Sequence, residues 1–301
     1  MSSSLYHFGD MTSILLSLLF LFGCVFQNVK PISNEIQARS RAGNVTPSPD
    51  YEAALSSLLS RVVTDDGLVR YDLLRGDFND DFRHVLKAVE DFDANRLHSQ
   101  EDRLAFWINA YNVQMLQNII ETPEVQNIVA DGFADRFFRS PYRTAGLDIT
   151  LDQIENVILR GQETDGNLAV FRLARLDPRL HAGINCAAIS CPRLRRTAFT
   201  RGNINIELDA AMKDFTDAPR HMRRDGDGFV LSSILDWFGS DFDTQGESAG
   251  DYLLQFMSNT RPDFAQLKIL FEGRTAEQIK ALPRVRFEYV WLINAAPIPQ
   301  Q

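Results

Sequence analysis

Two of the chain's three cysteines stand in the run His181-Ala-Gly-Ile-Asn185-Cys186-Ala-Ala-Ile-Ser190-Cys191-Pro192, together with one of its five histidines. Thiols and imidazole are the side chains most used for nucleophilic, proton-transfer and metal chemistry near neutral pH. A cysteine nucleophile needs a lowered pKa, a base to take its proton and a third group to hold that base. Cys186 is the candidate nucleophile, since the Ala-Ala-Ile-Ser that follows could open a helix with its amides facing the sulfur. His181 is the candidate base, with His221 the one histidine downstream. Asn185, Asn109 and Asn112 are candidates to orient the base or to donate to an oxyanion. The chemistry would be acyl transfer: hydrolysis of an amide or thioester, or transamidation.

Two other readings of the same residues stand beside that one. His181, Cys186 and Cys191 could ligate zinc, but His-x4-Cys-x4-Cys matches no common zinc spacing, so no metal or cofactor is expected. Alternatively Cys186 and Cys191 pair as a small disulfide loop in an oxidising compartment. The domain is then a non-catalytic binding or scaffold module of the cell envelope.

These residues need a frame. From Tyr51, Leu55, Leu58, Leu59 and Val62 share one helical face, and Gly67 closes the unit before a short strand at 68–71. A second helix is expected near 79–96, with Phe82, Leu86, Val89 and Phe92 inward. Ser99 and Asp102 form the capping pair of a third, which carries Leu104 to Asn112 and runs to about Ile120. A buried Asn without a partner costs about 1–3 kcal/mol, so Asn109 and Asn112 must either bond neighbouring loops or serve a site. Thr150 and Gln153 cap a helix ending at Gly161, and a helix is expected around 204–217. A Gly-Asp-Gly turn at 226–228 leads into Phe229-Val230-Leu231, and a helix follows near 249–258. Period-two aromatics make 285–294 a strand. Asp236 and Asp241 read as a helix cap and a surface charge, and Glu155 as a partner for an arginine at the rim of the core. The sum is a helix-rich single α+β domain with a small, mainly antiparallel sheet.

A formal charge of −9 and a pI near 5.1 argue against nucleic acid as a partner. Arg193, Arg195 and Arg196 form the densest basic cluster, a solvated face or a grip for an anionic substrate. Thr12 to Phe26 is an apolar run. Fifteen helical residues span roughly 22 Å, short of the roughly 30 Å hydrocarbon core, which suits a signal segment over 1–26 better than a spanning helix. Leu21-Phe22-Gly23-Cys24 resembles a lipobox, although Phe22 is bulky and no Lys or Arg precedes the run. Lipoprotein, cleaved signal and uncleaved anchor remain open. Each places the body in the cell envelope, tethered to or exported across a membrane. Residues 27–48 read as a flexible tether. A protein or small-molecule partner stays unspecified.

Several separated blocks carry a resemblance. They are Phe106-Trp107-Ile108-Asn109-Ala-Tyr111-Asn112, Leu151-Asp-Gln-Ile154-Glu155, the His181–Pro192 segment, Trp237-Phe238-Gly-Ser-Asp241-Phe242 and Tyr289-Val-Trp291-Leu-Ile-Asn294. In this order they resemble the domain-of-unknown-function 547 family over roughly 50–295. The last block in that family commonly reads Tyr-Asp-Trp, and Val290 stands here in place of the Asp. The resemblance implies a domain and leaves its activity open. Trp107, Tyr111 and Arg193 are the residues we expect to line a substrate site around the cysteines.

Overall fold

The computed structural model describes residues 51–162, 166, 168–244 and 246–297. The apolar run Thr12–Phe26, Cys24 and the expected tether lie outside the described residues. No described helix is long and apolar enough to cross a membrane.

The chain is helix-rich with two small sheets. Helix α1 (Tyr51–Val62) buries the four residues its sequence puts on one face, and Tyr51 with them. A short α2 (Tyr71–Arg75) takes over where a strand was expected, and Val69 makes only single bridges, to Val63 and Ala295. Helix α3 (Asn79–Glu90) stops six residues short of 96, where Asp93 caps a separate turn, Ala94–Arg96. The central α4 (Gln100–Ile120) opens on a reciprocal box between Ser99 and Asp102 and is buried almost throughout from Leu104 to Ile119. A helix polar at one end and apolar nearly all round belongs in the middle of a core.

After α5 (Phe133–Arg139), the hairpin β1 (Tyr142–Thr144) and β2 (Leu147–Ile149) pairs antiparallel. The segment capped by Thr150 and Gln153 is a π-helix over Gln153–Leu159, closed by an i to i−5 bond from Arg160 N–H to the Glu155 carbonyl at 2.9 Å. Then come a single turn, α6 (Leu180–Gly183), and α7 (Ile204–Asp217), the latter at the expected bounds.

The mixed sheet follows. β3 (Met222–Asp225) and β4 (Gly228–Ser232) form an antiparallel hairpin, and β5 (Val285–Glu288) lies parallel to β4. Gly228 is required there, since any Cβ would collide with the Arg284 carbonyl where β5 passes. Between β4 and β5 lie α8 (Ser233–Trp237), α9 (Ala249–Leu254), α10 (Phe264–Phe271) and α11 (Ala276–Lys280). Regular strand pairing ends at Glu288, not Asn294. The chain beyond it runs extended, bonding Ile189 N–H through the Leu292 carbonyl at 2.8 Å and the Gln126 carbonyl through Ile293 N–H at 2.9 Å.

Two apolar clusters result. The first gathers α1–α4, the π-helix and the cysteine segment; the second gathers the sheet, α8–α11 and the far half of α7. Helix α7 serves both, with Ile204 and Leu208 in the first and Ala211, Met212 and Phe215 in the second. Helix α6 is shared in the same way through Leu180 and Ala182, which leaves His181 on the seam.

The α4 box sets the start of the longest helix. Replacing Ser99 by Ala removes the hydroxyl that accepts from Asp102 N–H, and should lower stability by about 1 kcal/mol in urea denaturation. No change would mean that core burial alone fixes the start of α4.

Candidate functional site

The cysteine segment is held by amides. Asn112, on α4, donates to the Gly183 carbonyl at 3.0 Å and accepts from Asn185 N–H at 2.9 Å. Asn185 donates to the Pro192 carbonyl at 2.7 Å, and its side-chain oxygen accepts from Ala187 N–H at 2.8 Å and from the Asn294 amide at 3.2 Å. That bond holds Ala187 at φ +62°, a conformation a residue with a Cβ adopts only when its surroundings impose it. Asn109 makes a two-way pair with Phe199, donating to its carbonyl at 2.7 Å and accepting from its N–H at 3.0 Å. All three asparagines therefore brace backbone.

Cys186 and Cys191 are joined as a disulfide, with Cα atoms 6.2 Å apart. The two sulfurs differ in setting. Cys186 is partly exposed, whereas Cys191 is 3% exposed and accepts from Cys186 N–H at 2.9 Å. The Tyr289 hydroxyl lies 3.0 Å from each sulfur. Beside it the rings of Trp237, Tyr289 and Trp291 pack at centroid distances of 4.5 to 5.5 Å, all half-buried. Ile189, Val290 and Leu292 are exposed alongside.

His181 lies on the seam between the clusters and not in a bond to either sulfur. Its Nε2 meets Asp241 Oδ2 at 2.7 Å, and its ring stacks on Phe238 at 4.6 Å. Arg160 grips the same carboxylate along one edge of its guanidinium, donating from Nε and Nη2 at 2.6 and 3.0 Å. Burial pushes the Asp241 pKa up, but the bonds from His181 and Arg160 outweigh it and hold the group at about 2. Burial lowers the His181 pKa, only partly offset by Asp241, so the ring is a neutral donor through Nε2. Asp241, expected as a surface charge, is instead the acceptor that joins the two clusters. Its partners are 60 and 81 residues away, a distance that no local spacing reports.

Glu155 also gains a role that spacing did not announce. It is 8% exposed on the π-helix and accepts from the Tyr111 hydroxyl at 3.3 Å. Burial raises its pKa to about 7, against the pull of Arg160. Burial also raises the Tyr289 pKa, and the Glu155 charge adds to the shift, so this carboxyl and the sulfur-bound phenol sense one another.

The expected substrate residues are dispersed. Tyr111 is buried behind Glu155, and Trp107 is buried with its ring edge-on to Phe106 and Phe171. Arg193 lies against Gly67 and lines a separate cleft. His221 is buried against Phe215 and Arg220. No group of three or more His, Cys, Asp or Glu is gathered as a metal site among the described residues.

The Glu155 shift has a consequence for stability. In the unfolded chain the group titrates near 4.5 and in the folded protein at about 7. Between those values the folded protein holds a proton that the unfolded chain has released. The contribution is therefore full below about 4.5 and falls by about 3 kcal/mol as pH rises to about 7. Glu155→Gln should lack that decline, gaining on the wild type across this window in urea denaturation. Parallel profiles would show that Glu155 ionises as freely folded as unfolded.

No curated protein and no solved structure matches the chain. Residues 95–216 match the model of a family described as a protein of unknown function, DUF547. The matched stretch holds the asparagine helix, Glu155, His181 and both cysteines, while Asp241 and Tyr289 come from beyond it. Over residues 95–216 the chain carries a DUF547 domain.

Proposed function

We propose that the protein is a cysteine-dependent thiol–disulfide exchange centre acting on protein thiols in the cell envelope. The observation that carries this reading is the asymmetry of the pair: a partly exposed Cys186 bonded to a buried Cys191 whose sulfur already has two donors in reach. Exchange proceeds by attack of a thiolate on the accessible sulfur, and it is faster when the departing sulfur is a stabilised thiolate.

An external thiolate attacks Cys186 Sγ, forming a mixed disulfide and breaking the bond to Cys191. The electron pair leaves on Cys191 Sγ, where Cys186 N–H and the Tyr289 hydroxyl donate to it. A second thiol of the partner, as thiolate, attacks the mixed disulfide and releases Cys186. The partner leaves oxidised, with one disulfide gained, and the protein is left as the dithiol. The half-buried rings of Trp237 and Trp291 and the exposed Ile189, Val290 and Leu292 favour a protein partner, whose apolar segment they would cover. A standing disulfide is kept in oxidising compartments, so the reading carries export or membrane tethering through Thr12–Phe26 with it.

Acyl transfer by Cys186 is the weaker reading of the same sulfur. His181 Nε2 is committed to Asp241, and the asparagines that would orient a base or bind an oxyanion are engaged by backbone. A non-catalytic scaffold with a structural disulfide is the competing outcome of the test.

The test uses reduced glutathione and the folded protein, with alkylation and mass spectrometry as the readout. Reduction of Cys186–Cys191 without loss of the thermal melt is expected. Cys191→Ser, treated instead with oxidised glutathione, should accumulate one glutathione on Cys186 with release of the other as thiol, and Tyr289→Phe should slow reduction of the Cys186–Cys191 bond about tenfold, as for one charge-assisted hydrogen bond. A bond that withstands excess glutathione, with either Cys substitution costing about 2 kcal/mol of stability, would overturn exchange and leave a structural brace.

A further inference from the structure

A second site lies where the basic cluster ends, away from the sulfurs. Arg193, Asp214, Asp217, Ala218, Pro219 and Arg220 line an open cleft of about 320 Å³. Its carboxylates are already engaged. Asp214 meets Arg195 at 2.9 Å, and Asp217 pairs with Lys213 and accepts from Ser258 N–H at 2.7 Å. The two arginines are not so matched. Arg193 Nε is buried and has no hydrogen-bond partner among the described residues. Arg220 uses its Nε on the neighbouring imidazole, donating to His221 Nε2 at 3.0 Å, which leaves the two terminal nitrogens of its guanidinium with no acceptor among the described residues.

Their setting keeps both charges in place. His221 accepts with Nε2, so the proton of its neutral ring sits on Nδ1. Burial, then the charges of Arg220 and Arg193, hold the ring pKa down at about 3, which keeps it an acceptor at any physiological pH. Arg193 is fixed at its stem, where Cβ and Cγ cover Gly67 closely enough to exclude any side chain there. Burial lowers the Arg220 pKa, and the neighbouring Arg193 charge lowers it further, with Asp214 and Asp66 opposing. Asp66 is bonded to Thr64 at 2.5 Å and sits at the edge of this group. Two guanidinium groups close enough to repel, in a protein of net charge −9, are relieved by a bound dianion.

We propose that Arg193 and Arg220 form a binding site for a phosphate group, either free phosphate or a small soluble phosphate monoester. Arginine pairs match the oxygens of phosphate with parallel N–H bonds, and the cleft is at the small end of the range for ligand pockets. The terminal nitrogens of Arg193 and Arg220, which meet no acceptor among the described residues, supply the donors. The site is independent of the exchange reaction at Cys186–Cys191, and neither result decides the other.

The test is titration calorimetry of the full chain with inorganic phosphate and, separately, glycerol phosphate at constant ionic strength. Saturable binding at one site per chain is expected, weakened about tenfold or more by Arg193→Gln and by Arg220→Gln. Arg196→Gln removes an exposed arginine paired with Asp65 and should leave binding unchanged. Each variant is checked by its thermal melt, and two separate arginine substitutions keep the test open if one of them unfolds. Tighter binding of glycerol phosphate would identify a monoester site, and equal binding a site for free phosphate. No saturable binding to the wild type, or binding that both cleft substitutions leave intact, would overturn the proposal.

Discussion

Buried amides must find partners, and here that requirement ties three distant parts of the chain together at one point. Asn294 accepts from the Tyr71 hydroxyl at 2.7 Å, donates to Asn185, bonds the Ala187 carbonyl through its N–H at 2.8 Å and receives Val69 N–H on its own carbonyl at 2.9 Å. One residue near the end of the described chain thus joins α2, the cysteine segment and the chain after α1. Asn112 reaches the same segment from α4. Each polar atom left without its partner would cost about 1–3 kcal/mol, so few backbone paths other than this one are open to residues 183–192.

The second constraint is charge. Asp241 remains a carboxylate because Arg160 grips it with two bonds and His181 adds a third. It comes from the turn after α8, and its partners come from the other side of the seam. A paired and hydrogen-bonded buried charge tolerates little displacement, since losing one partner strands the other. The apolar clusters could slide against one another over smooth side chains. This bonded group fixes their register, and with it the approach of Tyr289 and Trp237 to the sulfurs.

Local signals were legible in the sequence. The Ser99–Asp102 box, the Thr150–Gln153 pair, the face of α1 and the bounds of α7 all follow from spacings of three or four residues. The DUF547 blocks located the cysteines and the asparagine helix. Asn109 bonds the Phe199 backbone and the Tyr51 hydroxyl, and Asn112 bonds the Gly183 and Asn185 backbone. What spacing could not give was long-range. Asp241, Glu155 and Tyr289 acquire their chemistry from partners 44 to 103 residues away. The strand predicted over 285–294 forms only as far as Glu288, for a related reason. Its aromatic alternation is real, but β4 offers pairing only as far as Ser232, and the rest docks on loops. Arg193, two positions after Cys191, points to another cleft because Gly67 leaves it room on that side.

The tie between Asn185 and Asn294 also orders events in time. Ribosomes deliver Cys186 and Cys191 about a hundred residues before the segment that carries Tyr289 and Asn294, and contacts so far apart in sequence are slow to form. Until that segment arrives, both sulfurs lie in a loop held from one side only, by α4. A nascent chain therefore offers its cysteines to any passing oxidant before the phenol and the aromatic rim are present. The finished site is a late product of assembly, and a chain truncated before 289 would keep the cysteines while losing the surroundings that distinguish one from the other.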